Sequence, residues 1–470
     1  MNRLFISAAH KSSGKTTISL GLCAALSARG MAVQAFKKGP DYIDPMWLAQ
    51  ATGRPCHNLD FFTMERAEIL ETVAAYGTAA DIAVIEGNKG LYDGLDLDGS
   101  NSNAALARLL ETPVILVIDA RGMTRGIAPL VLGYQAFDPD IRIAGVILNR
   151  LGGRRHESKL RAVVEHYTDV PVVGAIHNDA RLELVERHLG LMPSNEDSES
   201  ARKISQIGDA IGSQVDMDAI VKIGASAAVL SALPSSSRAP ESRKRDVRIG
   251  IARDASFGFY YPGVLEALER AGAELVAIDT LHDSGLPRID GLFIGGGFPE
   301  TSMEALEGNG QLRTEIRRAI ETGLPVYAEC GGLMYLTRSL TWKGKTCDMV
   351  GAIPADVLMH DRPQGRGYVR LEETSAAPWP GGGSDVRQEV AGHEFHYSSL
   401  ENLDSGVQFA YRVRRGTGID GKNDGIVLHN TLACYAHLRD TGRYHWAERF
   451  VAFVRECKAR TPLHVGAGLR

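Results

Sequence analysis

Two short stretches of this chain carry residue types suited to chemistry on acyl and phosphoryl groups. In the first, Tyr327-Ala328-Glu329-Cys330-Gly331-Gly332, one cysteine ends an apolar run and two glycines follow it. Residues 324–327 read as a short buried strand and the sequence from about Leu333 as a helix, so Cys330 falls on a tight turn between them. This is the layout of a nucleophile elbow, because N–H groups at a helix start favour an anionic sulfur and an anionic intermediate. An isolated cysteine is otherwise a small core residue, and the glycines argue against that reading here. A candidate base, His437, follows the strand-like run from Thr431. Cysteine and histidine distant in sequence and close in space is the pattern such a nucleophile needs.

The second stretch is His10-Lys11-Ser12-Ser13-Gly14-Lys15-Thr16-Thr17, between an apolar run at 4–9 and a helical pattern at 18–28. Strand, loop and helix in that order predict a phosphate-binding loop in which Ser12, Ser13, Gly14, Lys15, Thr16 and Thr17 wrap a nucleotide phosphate. Lys15 would reach the terminal phosphates and Thr16 would hold Mg²⁺. Ala9 stands where the usual first glycine of the motif would be.

The elements that must position these residues read as two α/β units. Strands at 4–8, 32–36, 82–85, 114–118, 143–148 and 172–175 alternate with helical runs such as 104–110 and 127–137, as in a parallel sheet covered on both faces. A helical pattern at 217–223 precedes a serine-, proline- and arginine-bearing segment at 226–246, read as a linker. A second unit starts with a strand at 247–252, then a helix at 264–271 and strands at 274–278 and 291–294. The last strand runs into Gly295-Gly296-Gly297. Three glycines after a strand let the backbone approach a ligand, so Gly295, Gly296 and Gly297, with Gly331 beside the nucleophile, are candidates for an oxyanion hole. The expected division is 1–225, linker 226–246, 247–455 and a tail at 456–470.

At 470 residues the chain is long enough for two full cores, and its charged and apolar content is that of a globular protein. A net charge of −5 leaves no electrostatic footprint for nucleic acid. The six cysteines show no metal-ligand spacing and no disulfide framework, and the cytoplasm is the expected compartment. No apolar run is long enough to span a bilayer. His393 and His396 are three apart, whereas a metalloprotease-type zinc helix needs four, so no metal is expected there.

The order of these motifs, together with Lys37-Lys38-Gly39-Pro40-Asp41-Tyr42-Ile43-Asp44-Pro45, Glu86-Gly87, Gly90-Leu91-Tyr92-Asp93-Gly94 and Gly392-His393-Glu394-Phe395-His396, resembles the cobyrinic acid a,c-diamide synthase family. The resemblance runs from about residue 3 to about 455. It implies an N-terminal P-loop domain with a doubly wound parallel sheet, similar to dethiobiotin synthetase, fused to a C-terminal α/β glutamine amidotransferase domain. It further implies that Cys330 attacks glutamine, that His437 acts as base and then acid, and that the N-terminal domain uses ATP and Mg²⁺ to activate a tetrapyrrole carboxylate as an acyl phosphate. Lys37 would add positive charge at the phosphates, with Glu86 and Asp41 or Asp44 joining Thr16 at the metal.

Several segments depart from the family pattern. Asn88-Lys89 replaces apolar residues, Leu48 stands where a histidine is usual, and the run to Asn101-Ser102-Asn103 is unusual. Tyr42, Asn88, Lys89, Tyr92, Asp93, Asn101, Asn103, Arg121 and Arg125 are therefore candidate substrate contacts, for cobyrinate or, alternatively, for sirohaem or sirohydrochlorin. Arg439 stands where related amidotransferases carry a carboxylate after the histidine, so either a dyad operates or an acid such as Glu394 orients His437. The family's members are often dimers, and a homodimer is an expectation on that ground alone. A nucleotide switch of the partitioning type is the reading from another class, though it would leave the Cys330 elbow without a use.

Overall fold

The computed structural model describes residues 1–182, 186–187, 190–196, 199–230, 244–379 and 389–460. Most of the expected linker and residues 461–470 of the expected tail lie outside the described residues. The chain divides into two compact units, Met1–Ser236 and Ser237–Arg470.

The first unit alternates strands and helices along its length: β1 (Asn2–Ala8), α1 (Lys15–Ala28), β2 (Val33–Lys38), α2 (Ile43–Thr52), β3 (His57–Leu59), α3 (Arg66–Gly77), β4 (Ile82–Glu86), α4 (Asn103–Leu109), β5 (Val114–Asp119), α5 (Ile127–Phe137), β6 (Ile143–Leu151), α6 (Arg154–Tyr167) and β7 (Val172–His177). After the short pair β8 (Glu186–Arg187) and β9 (Gly190–Leu191) come α7 (Ser200–Gly212) and α8 (Met217–Ala225). Strands β1 to β7 form one sheet in the order β3-β2-β4-β1-β5-β6-β7, every pair parallel. Both faces are covered, and β2, β4 and β5 are buried at every residue, which is why they read as unbroken apolar runs rather than alternating ones. The register Lys37↔Glu86 brings the ends of β2 and β4 level with the phosphate-binding loop after β1. Strand β3 has three residues, too few for a periodic signal, and sequence reading passed over it.

The second unit begins with β10 (Val247–Ala252), β11 (Phe257–Phe259), α9 (Pro262–Arg270), β12 (Ala273–Ile278), β13 (Gly291–Ile294) and β14 (Gly296–Gly297). Then follow α10 (Met303–Gly308), α11 (Gly310–Glu321), β15 (Val326–Glu329) and α12 (Gly331–Leu336). A strand-rich stretch comes next: β16 (Ser339–Trp342), β17 (Lys345–Asp348), β18 (Asp356–Met359), β19 (Gly365–Glu373), β20 (Glu389–His396), β21 (Ser398–Glu401), β22 (Gln408–Arg415), β23 (Asn423–Leu428), β24 (Thr431–Cys434) and β25 (His437–Leu438). Helix α13 (Trp446–Arg460) closes the unit. The main sheet runs β12-β10-β13-β15-β24-β23-β22-β19-β20-β25, parallel as far as β24 and antiparallel beyond it. A core of Leu292, Ile294, Val326, Ala328, Leu333 and neighbouring side chains packs behind the elbow.

Two expectations are corrected here. The helix after the elbow starts at Gly331, two residues before the apolar signal at Leu333, because glycines carry no hydrophobic period. Residues 456–460 belong to α13 and not to a tail; buried Phe450, Val451 and Val454 anchor that helix, and its charged last turn continues past them.

Candidate active site

The elbow forms where β15 ends. Cys330 has φ 48° and ψ −101°, a backbone conformation strained for a residue with a Cβ. Its N–H donates to the Cys434 carbonyl at 2.7 Å, which ties the turn to the neighbouring strand. Cys330→Gly is expected to unfold later than Cys330→Ala by about 1 kcal/mol, read by denaturant melts, because glycine relieves this strain.

His437 reaches the elbow from β25, three residues beyond Cys434, and the pair Glu329↔Cys434 fixes that approach. The His437 ring hydrogen-bonds Cys330, and its Nδ1 lies 3.3 Å from Glu329 Oε2. Glu329 Oε1 accepts from Tyr327 Oη at 2.6 Å and from the Leu438 N–H at 2.8 Å, so the carboxylate is locked in place. The orienting acid is therefore the residue immediately before the nucleophile. Glu394, the acid named from sequence, is occupied elsewhere: its two oxygens accept from the Thr417 and Gly418 N–H groups at 2.7 and 2.8 Å. Arg439 lies over the Tyr261 ring, 5.0 Å from its centroid. A second carboxylate, Asp424, was missed in the sequence; it accepts from the Tyr435 and Ala436 N–H groups, each at 3.0 Å, and holds the chain that leads into His437.

Burial disfavours a charged His437, but the hydrogen bonds to Cys330 and Glu329 outweigh it and push the ring up to about 10. The histidine thus keeps a proton for a departing nitrogen. Since its folded value lies above the free value of 6.5, its contribution to stability is complete below about 6.5 and is lost as pH rises through about 10. Glu329→Gln is expected to lower the titration of His437 followed by NMR, to narrow that stability window, and to cut glutaminase turnover about 10²- to 10⁴-fold. An unchanged His437 titration in this variant would contradict the pairing.

Three glycines after β13 separate into different roles. The Gly295 N–H donates to Tyr260 Oη at 2.9 Å, so it is removed from the oxyanion candidates. A Cβ on Gly296 would meet His437 Cε1 at 2.5 Å, which makes this glycine the floor under the ring. Gly297 and Gly331 face each other closely: a Cβ on Gly331 would lie 2.9 Å from the Gly297 nitrogen. Their N–H groups, with that of Gly296, are the remaining oxyanion candidates.

In the first unit, Gly14 heads α1 at φ 89°, and the buried side chain of Lys15 follows it. Ser13 Oγ donates to the His10 carbonyl at 2.8 Å. Two residues unread from sequence brace the loop from β6: Asn149 Nδ2 donates to the Ser13 carbonyl at 2.8 Å, and Arg150 donates to the Ser12 carbonyl at 3.0 Å. Ser12 itself has φ 64°. Thr17 Oγ1 is 3.5 Å from the Leu182 carbonyl. Burial and the Lys37 charge push Lys15 down to about 8.

Thr16, Lys37, Asp44 and Glu86 converge. Thr16 Oγ1 donates to Glu86 Oε1 at 2.9 Å and to Asp44 Oδ2 at 3.2 Å; Lys37 Nζ donates to the same two oxygens at 2.7 and 2.5 Å. Burial works against the charge of Lys37, and the two carboxylates overcome it and raise its pKa. Glu86 Oε2 is buried and has no hydrogen-bond partner among the described residues. A hydroxyl and two carboxylates with one orphaned oxygen form a hard donor set that fits Mg²⁺. Asp41 sits at the edge of that set: its Oδ1 accepts from the Ile43 and Asp44 N–H groups at 2.9 and 3.3 Å at the head of α2, while its Oδ2 lies 4.0 Å from Lys37 Nζ.

The candidate substrate contacts also separate. Asn103 is fully buried and serves the loop after β4, accepting from the Asn88 N–H at 3.1 Å and donating to the Gly90 carbonyl at 2.8 Å. Asp93 accepts from the Gly90 N–H at 2.9 Å, and Tyr92 Oη donates to the Tyr134 carbonyl at 2.6 Å. Arg121 pairs with Asp119 at 2.7 Å. All four have partners within the protein, and of them Asp93 and Arg121 are also exposed. Arg125 is exposed over the Tyr167 ring, Tyr42 is buried beside Asp41, Asn88 and Asn101 are half-buried, and Lys89 is exposed. His393 lies 6.0 Å from His437 between ring centroids, and among the described residues no cluster suited to a metal ion forms from histidine, cysteine and acidic residues. No helix among the described residues is long and apolar enough to cross a membrane.

Comparison with known proteins agrees with both halves. Residues 5–191 match the CobQ/CobB/MinD/ParA nucleotide binding domain, and residues 248–443 match the CobB/CobQ-like glutamine amidotransferase domain. A protein of Magnetococcus marinus named cobyrinate a,c-diamide synthase is 49% identical over 97% of each chain. Proteins of the same name from Methanosarcina acetivorans and Archaeoglobus fulgidus are 42% and 41% identical, covering 93% and 96% of this chain and 92% and 96% of theirs.

Proposed function

The chain belongs to the cobyrinate a,c-diamide synthase family, and from that premise we propose that it amidates the a and c acetate carboxylates of a cobyrinate-type tetrapyrrole, using glutamine as nitrogen donor and ATP as the driving force. The observation that carries this reading is the pairing, in one chain, of the Glu329–His437–Cys330 elbow with the Thr16–Lys37–Asp44–Glu86 cluster behind a phosphate-binding loop. A nucleotide switch would need only the second. The relatives' shared name does not favour the sirohaem-type alternative.

In the second unit, Cys330 Sγ, its proton passed to His437, attacks the side-chain carbonyl carbon of glutamine, and the Gly297 and Gly331 N–H groups receive the oxyanion. His437 gives its proton to the departing nitrogen as the C–N bond breaks, releasing ammonia and leaving a thioester. It then takes a proton from the water that hydrolyses the thioester to glutamate. Glu329 keeps the imidazole in the orientation that both transfers require. In the first unit, the loop N–H groups and Lys15 hold the ATP phosphates while a substrate carboxylate oxygen attacks the γ-phosphorus and ADP leaves. Ammonia then attacks the acyl phosphate, and phosphate departs as the amide forms. Thr16, Asp44 and Glu86 would hold Mg²⁺, which when bound neutralises charge on the phosphate oxygens. Lys37, pinned between Asp44 and Glu86, keeps those carboxylates in register.

The test is oxygen tracing. Cobyrinate labelled with ¹⁸O in its carboxylates, incubated with ATP, Mg²⁺ and ammonia, should pass one ¹⁸O to phosphate for each amide formed, with sirohaem run in parallel. Amide formation with unlabelled phosphate would contradict the acyl phosphate, and labelling with sirohaem alone would move the substrate assignment.

A further inference from the structure

Strand β2 ends in two lysines whose side chains alternate across the sheet, and only the first has its charge matched. Lys37 is clasped by Asp44 and Glu86. Lys38 is just as buried, at 3% exposure, yet its one hydrogen bond among the described residues runs to the Asn88 side-chain oxygen at 3.4 Å, a long contact for an ammonium donor. Among the described residues no carboxylate lies within ion-pair distance of it. Asp60 attracts it from farther away, but the Asp60 oxygens already accept from the Phe62 N–H at 3.1 Å and from Thr63 Oγ1 at 3.3 Å. Lys89 adds a second positive charge beside it, exposed to solvent and held at φ 35°. The loop that carries Asn88 and Lys89 is rigid, because Asn103 bonds to Asn88 and Gly90 and to Ser7 Oγ behind them.

A buried ammonium whose counter-charge stands off without a hydrogen bond is costly, and a strained, exposed lysine next to it compounds the excess of charge. Both lysines sit at the carboxyl ends of parallel strands, where open α/β sheets bind their ligands, and Asn88 follows the metal-site residue Glu86 by two positions. We propose that Lys38 and Lys89, with Asn88 between them, form a subsite that binds a peripheral carboxylate of the tetrapyrrole substrate. The carboxylate displaces the weak Asn88 contact and takes charge-assisted hydrogen bonds from both ammonium groups. This subsite rests on the amidation reading given above, and it gives the Asn88-Lys89 pair a use at the sheet edge.

The subsite has a pH signature. Burial, together with repulsion from Lys89 and Lys37 and against the pull of Asp60, pushes Lys38 down to about 8. Free enzyme therefore loses this cation as pH rises through about 8, and the KM for the tetrapyrrole should climb over that range.

The test is steady-state amidation of cobyrinate by the full chain with saturating ATP, Mg²⁺ and free ammonia, as a function of pH, in wild type, Lys38→Met, Lys38→Arg and Lys89→Met. The expected result is a KM for the tetrapyrrole raised about 10- to 100-fold in Lys38→Met and about 3- to 10-fold in the exposed Lys89→Met. Lys38→Arg should recover most of the loss and flatten the alkaline rise in KM, since arginine stays charged. The KM for ATP should move far less than that for the tetrapyrrole. Should Lys38→Met fail to fold, judged by its melt, Lys89→Met and Lys38→Arg carry the test. Wild-type amidation with unmoved KM and pH profile in the variants overturns the subsite alone. No wild-type amidation with ammonia supplied overturns the amidation reading and the subsite with it.

Discussion

Cys330→Ala is expected to lose glutamine-dependent amidation by about 10⁴-fold or more while ammonia-dependent amidation stays within about twofold of wild type. The asymmetry follows from the separation of the two chemistries. Cys330 lies in the second unit, at the end of β15, and the nucleotide loop lies in the first. Removing the thiol takes away the group at the elbow that forms the thioester, and the Cys330 N–H bond to the Cys434 carbonyl survives in alanine. Glutamate release and amide formation, followed side by side with each nitrogen source, check this. Equal loss with glutamine and with ammonia would mean that Cys330 also supports the nucleotide half.

Glu86→Gln is expected to behave in the opposite way, depressing amidation about 10³-fold with either nitrogen source and leaving glutaminase turnover with its own dependence on Cys330. Glu86 is fully buried and accepts from Thr16 and Lys37 through one oxygen, with the other unpartnered. The amide keeps an acceptor for Lys37 but removes the charge that a metal ion requires. Asp44 remains 2.5 Å from Lys37, so the loss of stability should fall below the about 3–5 kcal/mol of a fully orphaned buried charge. Melting curves beside the activity assay separate the two effects. A variant that melts near wild type yet keeps its ammonia-dependent rate would remove Glu86 from the metal site.

What was legible in the sequence was local. The phosphate-binding loop and the elbow each lie between a strand and a helix that are adjacent in the chain, so their turn chemistry shows without any knowledge of the tertiary fold. The parallel strands of the first unit were legible as unbroken apolar runs. Roles set by long-range register were not. Glu329 meets His437 because β15 pairs with β24 at Glu329↔Cys434, a contact spanning more than a hundred residues. A signal was present even so: a glutamate inside a fully buried strand must have partners, and the nearest histidine-bearing strand was the place to look. The three glycines looked equivalent until Tyr260 claimed the first and the His437 ring the second. Asn103 resembled a ligand contact because asparagine is polar, yet its amide holds the loop from within. Asp41 divides its two oxygens between a turn, the commonest use of aspartate at such positions, and the edge of the Lys37 cluster.

The measurement that reaches the central claim most directly is nitrogen tracing: cobyrinate incubated with the wild-type protein, ATP, Mg²⁺ and glutamine labelled with ¹⁵N in its side-chain amide, with the tetrapyrrole product analysed by mass spectrometry. The account predicts one ¹⁵N in each new amide. Consumption of glutamine and ATP with no ¹⁵N in the tetrapyrrole would contradict it.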